Sequence, residues 1–303
     1  MKALITGANG FVGKYLASEL KKNGYEVYGI DIVATDNVYC VDILDYSALK
    51  DVIDKENPDC IFHLAGQASV GLSWSEPQMT FDVNVKGTLN LLEAVRKQEK
   101  RIKMLIIGSS DEYGKVKEED CPISEELEPQ PCNPYAISKL TQEELCRLYV
   151  KTHDMYIIMT RSFNHTGPGQ KRGFVIADIC SRIVSLEKSG EKRMPVGNLD
   201  AKRDFSDVRD IVRAYRLLME DGIAGEIYNV GSGKAYSIKQ MLDMLLDMSN
   251  KDIEVFVDKS KLRPIDLPLI QSDISKLSNC TGYHPKYDIK DTLSDVLEYW
   301  RSI

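Results

Sequence analysis

Short apolar runs recur along the first half of the chain, at Lys2 to Thr6, Glu26 to Ile30, Cys60 to Leu64, Met104 to Ile107 and Tyr156 to Thr160. Their length and β-branched content predict strands buried on both faces. Between them, Phe11 to Lys22, Met79 to Lys97 and Asn133 to Lys151 carry apolar residues at helical spacing. Strands alternating with helices build βαβ units, so the expected fold class is α/β, a Rossmann-type doubly wound parallel sheet with helices on both faces. Ligands of such sheets sit beyond the carboxyl ends of the strands. That edge gathers the turn at Gly7, the Ala65-Gly66 pair, Ser109 and Arg161.

Beyond residue 160 the alternation loosens. Gly/Pro-rich connections at Thr166 to Gly169 and Pro264 to Pro268 separate helix candidates at Val175 to Leu186, Val208 to Met219, Ile238 to Ser249 and Ile289 to Arg301. The expected organisation is a nucleotide-binding domain over residues 1–160 and a smaller C-terminal substrate lobe over 161–303, with part of 207–230 returning to the sheet as a helix and a strand. There is no internal repeat and no low-complexity linker.

Composition narrows the function classes. With 303 residues and 43% hydrophobic content the chain can bury a sizeable core. Its formal net charge of −7 speaks against diffuse attraction to nucleic acid or to an anionic membrane, so a bound phosphate must meet local cations. The first apolar run is too short for a signal peptide, and no apolar stretch approaches the ~20 residues of a membrane span. The seven cysteines are scattered, without a Cys-x-x-Cys pair or a histidine cluster. They read as reduced thiols of a cytoplasmic protein, and no metal site is expected.

The first candidate chemistry is the turn Gly7-Ala-Asn-Gly10-Phe-Val-Gly13, which follows one predicted strand and opens one predicted helix. Glycines allow a sharp turn and close backbone approach to a pyrophosphate, while the helix N-terminus at Phe11 and Val12 offers N–H groups and a positive dipole. Asp31, at the end of the second strand, can accept hydrogen bonds from ribose hydroxyls and would repel a 2′-phosphate. The cofactor expected is therefore NAD(P)H, with NADH slightly favoured. Asp42 and Ile43, after a third short strand, are candidates for the adenine, with a helix N-cap before Tyr46 as the alternative for Asp42. Leu64, Ala65 and Gly66 line the same edge.

The second is Tyr135 and Lys139, one helical turn apart in Pro-Tyr-Ala-Ile-Ser-Lys. Tyrosine is a weak acid, with an ordinary pKa of ~10. An ammonium at i+4 can stabilise its phenolate and touch the nicotinamide ribose. Ser109, just past a strand, can hold a substrate carbonyl oxygen. The three together form a donor, a pKa tuner and an orienting hydroxyl, equipment for hydride chemistry at a carbonyl. His63 reads as a packed strand residue and His165 as a loop brace.

These motifs, with Phe62-His-Leu-Ala-Gly66, Gly108-Ser-Ser-Asp-Glu-Tyr-Gly114, Thr160-Arg-Ser-Phe-Asn-His-Thr-Gly-Pro-Gly169, Gly197 to Phe205 and Leu262-Arg-Pro-Ile-Asp266, resemble the extended short-chain dehydrogenase/reductase family that works on nucleotide sugars. Within it the likeness is greatest to the branch of GDP-sugar reductases and GDP-mannose 4,6-dehydratases. The resemblance covers nearly the whole chain. It implies Ser109, Tyr135 and Lys139 as the catalytic triad. Asn164, Arg203, Arg263 and Asp266 would hold the nucleotide diphosphate and its ribose, with Ser110, Asp111, Val175 and Lys188 also on the substrate side. For Arg203 and Arg263 the residues alone leave open a structural ion pair, with Asp204 or Asp266 as the partner.

The implied reaction is reduction, by NAD(P)H, of the C4 keto group of a GDP-linked 4-keto-6-deoxy sugar, giving GDP-D-rhamnose. A 4,6-dehydratase or epimerase, or a non-catalytic sensor of the cofactor, are the alternatives. Dehydratases of this kind usually carry threonine at the Ser109 position and glutamate two positions later. Here that position is Asp111, one methylene shorter, with Glu112 out of register. Family analogy also implies a homodimer through a four-helix interface made by the Met79 to Lys97 helix and the Tyr135 helix, with a tetramer left open.

Overall fold

The computed structural model describes residues 1–258 and 268–303. Seven parallel strands form the central sheet. Six come in sequence: β1 (Lys2–Thr6), β2 (Glu26–Asp31), β3 (Val38–Cys40), β4 (Cys60–His63), β5 (Lys103–Ser109) and β6 (Tyr156–Ser162). After them β7 (Asn164–Thr166), β8 (Arg193–Val196) and β9 (Lys202–Asp207) lie outside the sheet, and β10 (Ile227–Val230) returns to it beside β6. The spatial order is β10-β6-β5-β4-β1-β2-β3. The strand order reverses between β1 and β4, and a crevice for a ligand opens there at the carboxyl ends.

Alternation along each strand sends successive side chains to opposite faces. Ala3 and Ile5 of β1 face a layer made by α1 (Phe11–Lys22) and later by α8 (Val208–Asp221), with Leu16, Leu20, Ile211, Tyr215 and Leu218 fully buried. Leu4 faces the other layer, built from α2 (Tyr46–Glu56), α5 (Gly87–Arg96) and α6 (Pro134–His153). A separate core joins α7 (Val175–Ser189), α9 (Ile238–Asp247) and α11 (Ile289–Arg301) to β8 and β9. Strands β11 (Ala235–Ser237) and β13 (Leu269–Ile270) flank β9, which also pairs with β7; β12 (Glu254–Val257) pairs with β8. The short α10 (Ser275–Thr281) packs against β10 and α8, and it had no clear periodic signal.

One expected helix is interrupted. Met79 to Lys97 is not a single α-helix but α4 (Pro77–Phe81), a π-turn over Asp82–Lys86, and α5, preceded by α3 (Val70–Ser75). The wide turn brings Asn84 inward to Gln67 and Ser138, and such insertions are frequent at functional sites. Helix α2 starts one residue after Asp45, whose carboxylate caps Ala48 N at 3.0 Å. Asp42 is therefore not that cap; it accepts from Leu44 N at 2.9 Å in the turn before the helix.

Candidate active site

The glycine turn is shaped by contacts that exclude side chains. Gly7 has φ +73°, and a Cβ there would lie 2.8 Å from Ala65 N; a Cβ on Gly13 would lie 2.3 Å from Gly7 O and 2.7 Å from Ala8 O. Gly10 is the N-cap of α1 and brings no capping side chain, so the helix N-terminus opens to the crevice. Phe11 and Val12 form its first turn, and the Phe11 ring stacks with His165, centroids 6.4 Å apart and planes 7° apart. The tight turn, with no side chain at Gly10 over the helix N-terminus, fits a dinucleotide pyrophosphate.

Asp31 ends β2 and its Oδ2 accepts from Asn9 N at 2.9 Å. Asn9 also donates to Val33 O at 2.7 Å and accepts from Thr35 Oγ1 at 2.9 Å, pinning the segment after β2 to the glycine turn. Asn9 occupies a position that the glycine motif leaves free, so its type carried no signal in the sequence. Ile43 is buried, its side chain 2.7 Å from where a Gly87 Cβ would stand, and its carbonyl accepts from Asn90 at 3.0 Å. Asp42 beside it is exposed. After β4, Leu64 N bonds Thr6 O and Ala65 N bonds Thr6 Oγ1, while Gly66 keeps open a space bounded by Asn84 Oδ1 and Lys139 Nζ.

Helix α6 starts where Asn133 accepts from Ala136 N at 2.8 Å and Pro134 takes the first turn. That start sets Tyr135 and Lys139 on the buried face, about 6 Å apart along the axis. Ser109 at the end of β5 is the hydroxyl that faces Tyr135, and it favours the ionised form of the phenol. Burial, and after it the charge of Asp111, push the Tyr135 hydroxyl well above the ordinary tyrosine value, against the influence of Ser109. Lys139 is pushed down to about 8, chiefly by burial. Its ammonium bonds Ile107 O at 2.7 Å and Gln142 Oε1 at 2.8 Å. In the chain alone burial is the largest influence on Tyr135 and holds it as a neutral proton donor.

Arg161, expected at the ligand edge, is instead almost fully enclosed. Its guanidinium grips Glu143 through Nε and Nη2 at 2.9 and 2.8 Å and lies over the Tyr113 ring at 4.7 Å. Glu112 is buried on the same side: Oε1 accepts from Ser109 N at 2.6 Å, and Oε2 has no hydrogen-bond partner. Burial first, then the Glu143 charge, hold the Glu112 carboxyl well above the usual carboxylate range. Glu112 therefore turns into the core behind Ser109, and Asp111 and Ser110 form the turn that follows β5.

Asn164 of β7 is exposed and Arg203 of β9 half-buried; they sit on paired strands, with Asn164 opposite Phe205. Asp204 is not placed as an Arg203 partner: its buried carboxylate accepts from Ser232, Gly233 and Ser272. Val175 opens α7 beside exposed Phe174. Lys188 stands in the last turn of α7, about 20 Å from Val175, and reaches Ile303 O. The structure thus separates that pair. Arg263 and Asp266 lie outside the described residues.

A glycine cradle, a carboxylate ending β2 and a buried Ser-Tyr-Lys group at one switch-point edge define a nicotinamide-dependent oxidoreductase of Rossmann type. The model of the GDP-mannose 4,6-dehydratase family matches residues 4–296, and the chain belongs to that family. It is 36% identical to GDP-6-deoxy-D-mannose reductase from Pseudomonas aeruginosa over 302 residues, 99% of this chain and 97% of that protein. It is 27% identical to GDP-mannose 4,6-dehydratase from Vibrio cholerae over 98% of this chain and 92% of the relative. A solved structure of RMD from Pseudomonas aeruginosa complexed with NADPH superposes with a TM-score of 0.91, at 36% identity and covering 99% of both chains.

Proposed function

We propose that this chain reduces the C4 keto group of GDP-4-keto-6-deoxy-D-mannose to give GDP-D-rhamnose. The observation that carries the reading is the turn after β5: Glu112 is turned into the core, and the carboxylate beside Tyr135 is the short Asp111. A dehydratase needs an acid/base that reaches the C5 proton, and this turn offers one a methylene too short. The full-length likeness to the Pseudomonas aeruginosa reductase supports the same choice.

In this reading Gly7, Gly10 and Gly13 would hold the dinucleotide's pyrophosphate, and the reduced nicotinamide would supply the hydride for C4. Tyr135 gives its proton to the resulting oxygen, Ser109 holds that oxygen in place, and Lys139 carries the positive charge that stabilises the phenolate left behind. Asn164, Arg203 and Val175 receive the nucleotide, with Arg203 supplying forked donors to its phosphates.

Asp31, oriented by Asn9 N, favours NADH, and no lysine or arginine occurs between Ile32 and Asn37 to receive a 2′-phosphate. Exposed Ile137 and Leu148, three turns apart on one face of α6, and exposed Met79 and Leu89 support a homodimer through a four-helix interface. No described helix is long and apolar enough to cross a membrane, and the cysteines in the structure are unpaired thiols, in keeping with a cytoplasmic enzyme.

The test supplies GDP-4-keto-6-deoxymannose with NADH or NADPH, follows cofactor oxidation and identifies the product by NMR. Oxidation yielding GDP-D-rhamnose is expected, and Tyr135→Phe should reduce turnover by roughly 10²–10⁴ with cofactor affinity nearly intact. A folded protein that retains oxidised cofactor through purification and dehydrates GDP-mannose would overturn the reading in favour of the dehydratase.

A further inference from the structure

Behind Lys139 lies a chain of buried polar side chains that the proposed chemistry does not use. Gln142, Thr88, His63 and Thr6 are each at most 1% exposed. An ammonium has three N–H donors, and two are committed, to Ile107 O and Gln142 Oε1. The third is left for the side bordered by Gly66, where a Cβ would come within 3.6 Å of Nζ.

The direction of every bond behind Gln142 follows from counting donors. The Thr88 hydroxyl donates to Asn84 O at 2.6 Å. Its oxygen then accepts from Gln142 Nε2 at 2.9 Å and from His63 Nε2 at 2.9 Å. His63 is thereby fixed as the neutral tautomer with its proton on Nε2, so Nδ1 accepts from the Thr6 hydroxyl at 2.7 Å. Thr6 in turn accepts from Ala65 N at 3.2 Å. Burial and the Lys139 charge push His63 down to about 3, in keeping with that tautomer. The chain ends next to Gly7, whose missing Cβ lets the glycine turn touch Ala65.

We propose that Gln142 is a positioning residue: it fixes the rotation of the Lys139 ammonium so that one N–H faces the cofactor ribose, and the Thr88–His63–Thr6 chain locks that rotation to the dinucleotide turn. An apolar side chain of similar length would fill the same space on α6, so packing alone does not call for an amide here. The inference rests on the proposed role of Lys139, though not on the identity of the sugar.

Its test is the pH dependence of NADH and NADPH affinity, read by fluorescence in the full chain, together with kcat/KM where reduction is observed. The charged or titratable groups facing Lys139 are Glu112 from the turn after β5, His63 from β4, and Tyr135 and Cys146 from α6. Gln142→Leu removes the acceptor that stabilises the ammonium, and the alkaline limb should move down by about one pH unit. Gln142→Glu keeps an acceptor for the ammonium and adds charge, so the limb should move up. Thr88→Val should shift the limb in the direction of Gln142→Leu, by less.

Limbs that coincide in folded Gln142→Leu and the parent overturn the proposal. Should Gln142→Leu not fold, Gln142→Glu decides alone, and an unmoved or lowered limb overturns it. A parent protein that binds nicotinamide but reduces no keto sugar refutes the proposed function, while the affinity profiles still decide the role of Gln142.

Discussion

Glu112→Gln should stabilise the protein, and by an amount that grows with pH. Glu112 is fully buried; Oε2 has no hydrogen-bond partner, and the cation nearest it, Arg161 Nε at 3.8 Å, is already gripped by Glu143. Its folded pKa is therefore raised, whereas an unfolded glutamate titrates at ~4.3. The sign follows from proton counting. Above the unfolded value the folded chain holds a proton that the unfolded chain has released, so stability is complete below that value and falls by about 1.4 kcal/mol per pH unit until the folded pKa is reached. Glutamine keeps the oxygen that accepts from Ser109 N and places an amide where the proton sits, without titrating. Urea unfolding of parent and variant at several pH values checks this. The two should be similar near pH ~4.5 and diverge with a slope of about 1.4 kcal/mol per unit above it. A difference that does not change with pH would refute the reasoning, since it would mean that Glu112 is ionised beside Arg161.

Three further outcomes are expected. Gly13→Ala drives a Cβ into two backbone carbonyls and should cost about 1–3 kcal/mol in unfolding experiments while weakening NADH and NADPH binding by roughly tenfold or more. Asp31→Ser removes the carboxylate at the end of β2 and should raise the NADPH:NADH ratio of kcat/KM by about tenfold, equivalent to ~1.4 kcal/mol; an unchanged ratio would place the determinant elsewhere. Ile137→Glu puts a charge on the exposed apolar face of α6 and should shift the proposed homodimer toward monomer in analytical ultracentrifugation with little change in monomer unfolding.

The β-rich runs and the glycine turn were readable because parallel strands buried on both faces leave continuous apolar segments, and because a turn between strand and helix has a fixed spacing. Tyr135 and Lys139 were readable through that same helical spacing. Asn84 was not, since a π-turn has no hydrophobic period of its own; a lone asparagine between Val83 and Val85 was the available signal. Arg161 was misplaced because position at a strand end does not reveal which way a long side chain turns, and its partner Glu143 lies on a different element. Asp42 and Asp45 both suit a helix start, and backbone geometry rather than residue type chose between them.

The late return of β10 to the sheet bears on how the chain acquires its shape during synthesis. Helix α8 covers the apolar face of β1 and α1, and β10 closes the β6 edge, yet both follow the β7, α7, β8 and β9 segment. When a ribosome has released only the first 160 residues, Ala3, Ile5, Leu16 and Leu20 have no α8 to cover them and β6 has an unpaired edge. The N-terminal portion is thus expected to depend on the rest of the polypeptide, so a truncation at residue 160 should aggregate rather than yield an isolated cofactor-binding module.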